Sequence, residues 1–78
     1  MQLIEYRNHF YEELKEVYPS TETQSFLKRL IQSYFDWDPT FIALHPDYLL
    51  NQSETAQLDQ ALLALKTNKP IQYILNEA

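Results

Sequence analysis

Histidine and carboxylate side chains are the residues of this sequence that could bind a metal ion or transfer a proton. His9 has Glu5 and Glu13 four residues away on either side, a spacing that places all three on one face of a helix. A metal site requires three or four converging ligands, and no second histidine lies one helical turn from His9. We therefore interpret these side chains as a solvated polar face and predict no metal site.

Serine is the remaining candidate nucleophile, because the chain has no cysteine. None of the four serines has a histidine within predictable reach, as a serine nucleophile would need. The missing cysteine also excludes disulfides and thiolate metal sites. Glycine is absent as well, which excludes phosphate-binding loops and dinucleotide-binding turns. We predict that this chain contains no catalytic residue and binds no cofactor by itself.

Residues 36–65 carry the candidate contacts with another protein, because they combine acidic and aromatic side chains. This stretch has five carboxylates and no Lys or Arg. Tyr and Trp are common at recognition surfaces, since they bury a large area and keep a polar tip. The predicted contact residues are Trp37, Asp47, Tyr48 and Asp59. They would suit a basic protein partner; the alternative is that the acids only keep the domain soluble and cap helices.

The charge and hydropathy of the whole chain restrict the partners further. The formal net charge is −5 and the isoelectric point is about 4.7, so direct binding of nucleic acid is not expected. The longest apolar run is far shorter than the ~20 residues that a membrane-spanning helix needs, and no secretion signal is visible. The sequence therefore predicts a cytoplasmic protein that does not enter the membrane.

Apolar residues at helical spacing predict that the chain begins with two amphipathic helices. The first spans roughly residues 2–18 and ends at Pro19, because the residue before a proline is pushed out of the helical region. Thr21 and Gln24 form a capping-box pattern, which predicts that the second helix begins after Thr21. Its apolar stripe continues to about Phe35.

Two further helices are predicted in the second half of the chain. Asp38 is a favourable N-cap and Pro39 suits the first helical position, so a short helix should begin here and end at Pro46. Asn51 and Glu54 form a second capping pattern and predict the start of a fourth, longer helix.

The fold class follows from these elements. No segment shows the strict alternation of a half-buried strand, so we predict an all-α fold, a small helical bundle of four to five helices. Its core should include the apolar residues that recur along the helical stripes: Phe10, Leu14, Leu27, Leu30, Ile31, Leu58 and Leu62.

Residues 70–75 are unusually apolar for a segment so near the end of the sequence. They could fold back as a fifth short helix, or they could begin a connection to a further domain. We favour the second interpretation, with a helical domain over residues 1–69 and the start of a linker over residues 70–78. The linker residues are Pro70, Ile71, Tyr73, Ile74 and Leu75.

A resemblance to a known family rests on two neighbouring segments. Residues 58–63 (LDQALL), followed by residues 69–75 (KPIQYIL), resemble the end of the N-terminal helical domain in the HemK/PrmC family. The run from Pro70 to Leu75 is the specific part, and the helical pattern upstream agrees over essentially the whole chain. Members of this family are protein-(glutamine-N5) methyltransferases that act on peptide chain release factors.

The chain departs from the family pattern at three places. Asn68 stands where the family usually has glycine, although asparagine also tolerates a left-handed conformation. Asn76 stands where a glycine normally follows the Ile-Leu pair. The family's Asn-Pro-Pro-Tyr motif and Gly-rich S-adenosylmethionine site do not occur in this sequence, so no catalytic residue can be transferred to it.

The resemblance implies that residues 1–69 are a substrate-recognition domain, truncated before the catalytic domain. The implied partners are a peptide chain release factor and the chain's own C-terminal methyltransferase domain. S-adenosylmethionine is the implied cofactor of the full-length protein. The domain would position the release factor for methyl transfer; the alternative is a free-standing helical protein-interaction domain with no enzyme activity.

Overall fold

Five α-helices form the regular structure of residues 1–75, the part of the chain that the computed structural model describes. They are α1 (Leu3–Leu14), α2 (Ser20–Phe35), α3 (Phe41–Leu44), α4 (Gln52–Lys66) and α5 (Ile71–Ile74). The three long helices pack against one another in pairs, and α5 packs against α4. Within residues 1–75 the only extended pairing is an isolated antiparallel bridge between Gln2 and Leu49. The predicted all-α bundle of four to five helices is confirmed.

Helix α1 begins with both a local and a long-range set of hydrogen bonds. The Glu5 carboxylate accepts a bond from the Gln2 backbone N–H at 2.9 Å, as in a capping box. The N–H group of Leu3 donates to the Tyr48 carbonyl at 2.7 Å, and that of Ile4 donates to the Pro46 carbonyl at 2.9 Å. Two N–H groups that lack a partner within the helix are therefore satisfied by the connection between α3 and α4.

The predicted end of α1 near Tyr18 is wrong, because the helix stops at Leu14. The N–H groups of Val17 and Tyr18 both donate to the Leu14 carbonyl at 3.0 Å and close a tight turn. This turn leaves Val17 37% exposed. It also allows the Tyr18 hydroxyl to donate to the Leu65 carbonyl on α4 at 3.1 Å.

The predicted cap of α2 is also wrong. The helix begins at Ser20 with Pro19 as its N-cap residue, so Thr21 already lies in the first turn. Pro19 has an extended backbone, and its carbonyl accepts the N–H groups of Glu22 and Thr23 at 3.0 and 3.1 Å. The Thr23 hydroxyl, which is buried, donates to the Ser20 carbonyl at 2.9 Å.

Helix α3 begins two residues later than the sequence predicts. Asp38 is not its cap, because its carboxylate closes the turn before the helix by accepting the Thr40 N–H and hydroxyl at 2.9 and 2.6 Å. These hydrogen bonds, the side-chain one first, hold the pKa of Asp38 below its usual value. Thr40 is the N-cap residue, and the helix starts at Phe41.

The predicted start of α4 is confirmed. The Asn51 side chain accepts the Glu54 N–H at 2.7 Å, and the Glu54 carboxylate accepts the Asn51 N–H at 2.9 Å. After the helix, Asn68 has a φ of 64°, the left-handed conformation that its residue type tolerates. The Asn68 N–H donates to the Leu65 carbonyl, and that of Lys69 donates to the Ala64 carbonyl.

One apolar core joins all five helices. All seven residues predicted for it are buried. The core also contains apolar residues that the prediction did not name: Leu3, Tyr6, Ile42, Leu50, Ala61, Leu65 and Ile71.

The segment after Pro70 folds back as α5, which is the alternative that the sequence left open. Ile71 is only 6% exposed and belongs to the core, whereas Ile74 and Leu75 are half-buried against it. Tyr73 points outward and is 77% exposed. Residues 76–78 of the predicted linker lie outside the described residues.

Candidate protein-contact surfaces

Trp37, Phe41 and Tyr48 form an aromatic cluster beside the acidic stretch. The Trp37 ring stacks on the Phe41 ring with centroids 4.3 Å apart and meets the Tyr48 ring edge-on at 5.0 Å. All three side chains are half-buried. The structure thus brings the two predicted aromatic contact residues together, with part of each ring accessible.

Tyr48 and Glu54 are joined by hydrogen bonds. The Tyr48 hydroxyl donates to the two carboxylate oxygens of Glu54 at 2.9 and 3.2 Å. This bond, together with a smaller effect of burial, raises the pKa of Tyr48. Glu54 also caps α4, so its carboxylate has a structural role.

The predicted contact residues Asp47 and Asp59 differ in their surroundings. The Asp59 carboxylate accepts a hydrogen bond at 2.9 Å from the hydroxyl of Tyr6, a residue that is only 1% exposed. Asp47 lies exposed in the turn before Tyr48, and its carboxylate pairs with no other group of residues 1–75. Of the two, only Asp47 can therefore be replaced without removing a hydrogen bond within residues 1–75.

The predicted linker residues comprise the two caps of α5 and most of the helix between them. Pro70 is the N-cap residue, with the extended backbone that a proline favours. Ile71 anchors the helix in the core, and Tyr73 projects into solvent. On α4, the helix against which α5 packs, Leu63 is 65% exposed.

A groove with positive charge, which the sequence analysis did not identify, lies between α1, α2 and the segment that leads into α3. We call it the basic groove. Its principal lining residues are Arg7, Tyr11, Gln24, Lys28, Pro39 and Thr40. Residues 1–35 hold four of the six basic residues, including the adjacent pair Lys28 and Arg29. This concentration of basic residues is the feature of the sequence that could have indicated the groove.

Other kinds of site find no support in the part of the chain that is described. Within residues 1–75, no group of three or more His, Cys, Asp or Glu side chains could hold a metal ion. The His9 ring instead meets the Tyr6 ring edge-on at 5.6 Å. None of the helices described is long and apolar enough to cross a membrane.

The fold and these surfaces define a class: a small all-α domain with grooves and half-exposed aromatic side chains on its surface. The family model of the PrmC N-terminal domain matches residues 5–75. The chain belongs to this family.

A curated relative agrees with the family match. The chain is 32% identical over 77 residues to a protein of Flavobacterium psychrophilum named release factor glutamine methyltransferase. The similarity covers 99% of this chain but 27% of the relative, so the chain spans about a quarter of that protein's length. No solved structure matches the chain.

Proposed function

We propose that this chain is the substrate-recognition domain of a protein-(glutamine-N5) methyltransferase that modifies peptide chain release factors. The observation that carries the proposal is the family match over residues 5–75, together with the relative named as a release factor glutamine methyltransferase. The domain positions the release factor for a downstream catalytic domain, which binds S-adenosylmethionine. No residue of this chain is assigned to that cofactor, because the chain has no glycine for a Gly-rich turn.

The mechanism is positioning. A domain that binds the release factor away from its target glutamine raises the local concentration of that glutamine at the catalytic pocket. Helix α5 supplies the mechanical connection, because Ile71 is fixed in the core and the chain continues from there. Tyr73 is exposed on α5, and we assign to it a contact with the catalytic domain. The predicted cytoplasmic location goes with this function and stays a prediction.

The proposed contact surface consists of the residues predicted from the sequence. Trp37 and Tyr48 offer ring area at the aromatic cluster, Asp47 adds negative charge next to Tyr48, and Asp59 adds negative charge on α4. Such charges act mainly on the rate of association, and salt screens them beyond about 8 Å at physiological ionic strength. A basic patch on the release factor is the matching partner.

The positioning role is tested on the full-length enzyme and on a version that lacks residues 1–75. With a complete release factor as substrate, the shortened enzyme should show a KM raised by about tenfold or more, since the second contact is lost. With a short glutamine-containing peptide, the two enzymes should have similar kcat/KM. Equal KM values for the complete release factor would contradict a positioning role.

The contact surface is tested by replacing Asp47 with Asn in the full-length enzyme. Asp59 and Glu54 are kept, because both accept hydrogen bonds within the domain. At low salt, the Asp47→Asn enzyme should associate more slowly with the release factor. The matched control is Glu16→Gln, which removes one exposed negative charge outside the acidic stretch. If both variants associate at the parental rate, the acidic stretch has no role in docking.

A further inference from the structure

We propose that the basic groove binds an acidic segment of the release factor. This inference rests on the proposed function and names a second contact, opposite in charge to the one at the acidic stretch. It concerns Arg7 on α1 and Lys28 on α2, which face the same groove beside Pro39 and Thr40.

In the described part of the chain, Lys28 in the groove is unpaired, in contrast to two of the lysines outside it. Lys15 pairs with Glu12 at 2.7 Å, and Lys66 pairs with Glu13 at 3.2 Å. Lys28 is exposed and forms no ion pair within residues 1–75. It therefore offers a full positive charge to an incoming carboxylate.

Arg7 adds a guanidinium group that is held in place by its neighbours and has hydrogen-bond donors without a partner among residues 1–75. Its Cζ atom lies 5.7 Å from the centre of the Tyr11 ring, and one terminal nitrogen donates to Asn8 at 3.1 Å. Its Nε atom is buried and has no hydrogen-bond partner. Because Nε is buried, an incoming carboxylate must accept its hydrogen bonds from the terminal nitrogens of the guanidinium group, which can donate two in parallel.

The rest of the lining fits a peptide that carries such carboxylates. No Asp or Glu is among the described residues that line the groove; the carboxylate of the adjacent Asp38 is occupied by hydrogen bonds from the lining residue Thr40. Gln24 supplies amide groups for hydrogen bonds, while Pro39, Ile42 and Ala43 supply an apolar wall. A second groove shares Gln24, Lys28 and Pro39 with the first and extends the surface toward Arg29.

The charge of the whole chain favours a short acidic protein segment over a nucleic acid. A polynucleotide carries one phosphate per nucleotide, and its binding requires a long cationic track. The chain as a whole has a net charge of −5, and its residues 36–65 contain five carboxylates and no Lys or Arg. A segment of a few residues needs only the two cationic side chains that line the groove, Arg7 and Lys28.

The experiment compares Lys28→Glu with the parent in the full-length enzyme, using the unmethylated release factor as the probe. Binding measured by surface plasmon resonance at low salt should be about three- to tenfold weaker for Lys28→Glu, because an attraction becomes a repulsion. The affinity of the variant should also depend less on salt than that of the parent. The matched control is Lys69→Glu, an equal charge change at an exposed residue that does not line the groove. Thermal melting of both variants verifies that they are folded.

Each outcome decides the proposal. A selective loss of binding in Lys28→Glu supports it. If Lys28→Glu binds the release factor as tightly as the parent, the groove is not a binding site, but the proposed function is unaffected. If both variants lose the same affinity, the loss comes from the changed net charge and not from the groove, which also contradicts the proposal. A parent that does not bind the release factor would overturn both. Tight, Lys28-dependent binding of a single-stranded RNA oligonucleotide, with release-factor binding unaffected, would assign the groove to nucleic acid instead.

Discussion

Tyr6 connects α1 to α4 through a ring in the core and a hydroxyl at its margin. The hydroxyl donates to the Asp59 carboxylate at 2.9 Å across the helix interface. The sequence analysis did not place Tyr6 in the core, although Leu3, Tyr6, Phe10 and Leu14 recur at three- and four-residue intervals. That spacing was the signal, and the bond to Asp59 could not be predicted because it joins residues far apart in sequence.

Replacing Tyr6 with Phe should lower the free energy of unfolding by about 0.5–1.5 kcal/mol, the usual net contribution of one hydrogen bond. The ring remains in the core, and the exposed Asp59 can be solvated by water, so no larger loss is expected. Urea unfolding of the 78-residue chain measures the change. Tyr73→Phe is the control, because the hydroxyl of that exposed residue forms no hydrogen bond within residues 1–75. A Tyr6→Phe protein as stable as this control would show that the bond contributes nothing.

The pKa of Tyr6 leads to a prediction of how the stability of the fold depends on pH. Burial first, and then the hydrogen bond and charge of Asp59, raise the pKa of Tyr6 above its ordinary value of 10.0. A group whose pKa is higher in the folded state stabilises the protein fully below its unfolded pKa and loses this effect as the pH rises. The free energy of unfolding should therefore fall above pH 10, and less steeply in Tyr6→Phe. Parallel pH profiles for the two proteins would contradict this assignment.

At the scale of the elements, two similar capping patterns had opposite outcomes. Asn51 and Glu54 cap α4 as predicted, but Thr21 and Gln24 do not cap α2. In both patterns, a residue whose side chain can accept a hydrogen bond from a backbone N–H stands three residues before a Gln or Glu that can accept one in return. Pro19 accounts for the difference, since its fixed φ and extended backbone begin the helix before Thr21 is reached.

The two sites provide a matched pair of substitutions. Asn51→Ala should lower the free energy of unfolding by about 1 kcal/mol, because the Glu54 N–H loses its acceptor. Thr21→Ala should change it by less than about 0.5 kcal/mol, as is usual for an exposed residue that caps nothing. Chemical denaturation of both variants gives the comparison. Similar losses would mean that Thr21 also stabilises its helix.

The elements were easier to predict than the surfaces that they form. Helix periodicity, capping residues and prolines are local features, so the four main segments and all seven core residues could be predicted from the sequence. The basic groove combines Arg7, Lys28 and Pro39 from three parts of the chain. Its assembly depends on how α1 and α2 pack, which no local pattern encodes. The aromatic cluster likewise depends on packing, since it joins Phe41 of α3 to Trp37 and Tyr48 of the connections on either side.

At the scale of the whole molecule, one core carries the stability. A domain of this length buries only about 60% of the surface of its unfolded chain, so each core side chain matters. Leu30 lies on α2 and is fully buried in the core. The basic side chains of the groove and the acidic side chains of residues 36–65 carry opposite charge, and the two regions meet at Pro39 and Thr40.

Replacing Leu30 with Ala should cost about 2–5 kcal/mol, the range for a leucine removed from a close-packed core. That is a large share of the total stability of a small domain. Leu63→Ala is the matched control, because the same side chain is 65% exposed there and should cost far less. Thermal melting distinguishes them. A Leu30→Ala protein that melts within about a degree of the Leu63→Ala protein would show that the core does not depend on Leu30.

The hydrogen bonds from Leu3 and Ile4 to the carbonyls of Tyr48 and Pro46 have a consequence for amide exchange with heavy water. The first N–H groups of a helix usually face solvent and exchange rapidly, as do the frayed ends of most chains. Here they are held by a segment more than half the chain away, so local fraying cannot release them. Their protons should persist about as long as those in the middle of α2, and their loss should report the opening of the whole fold.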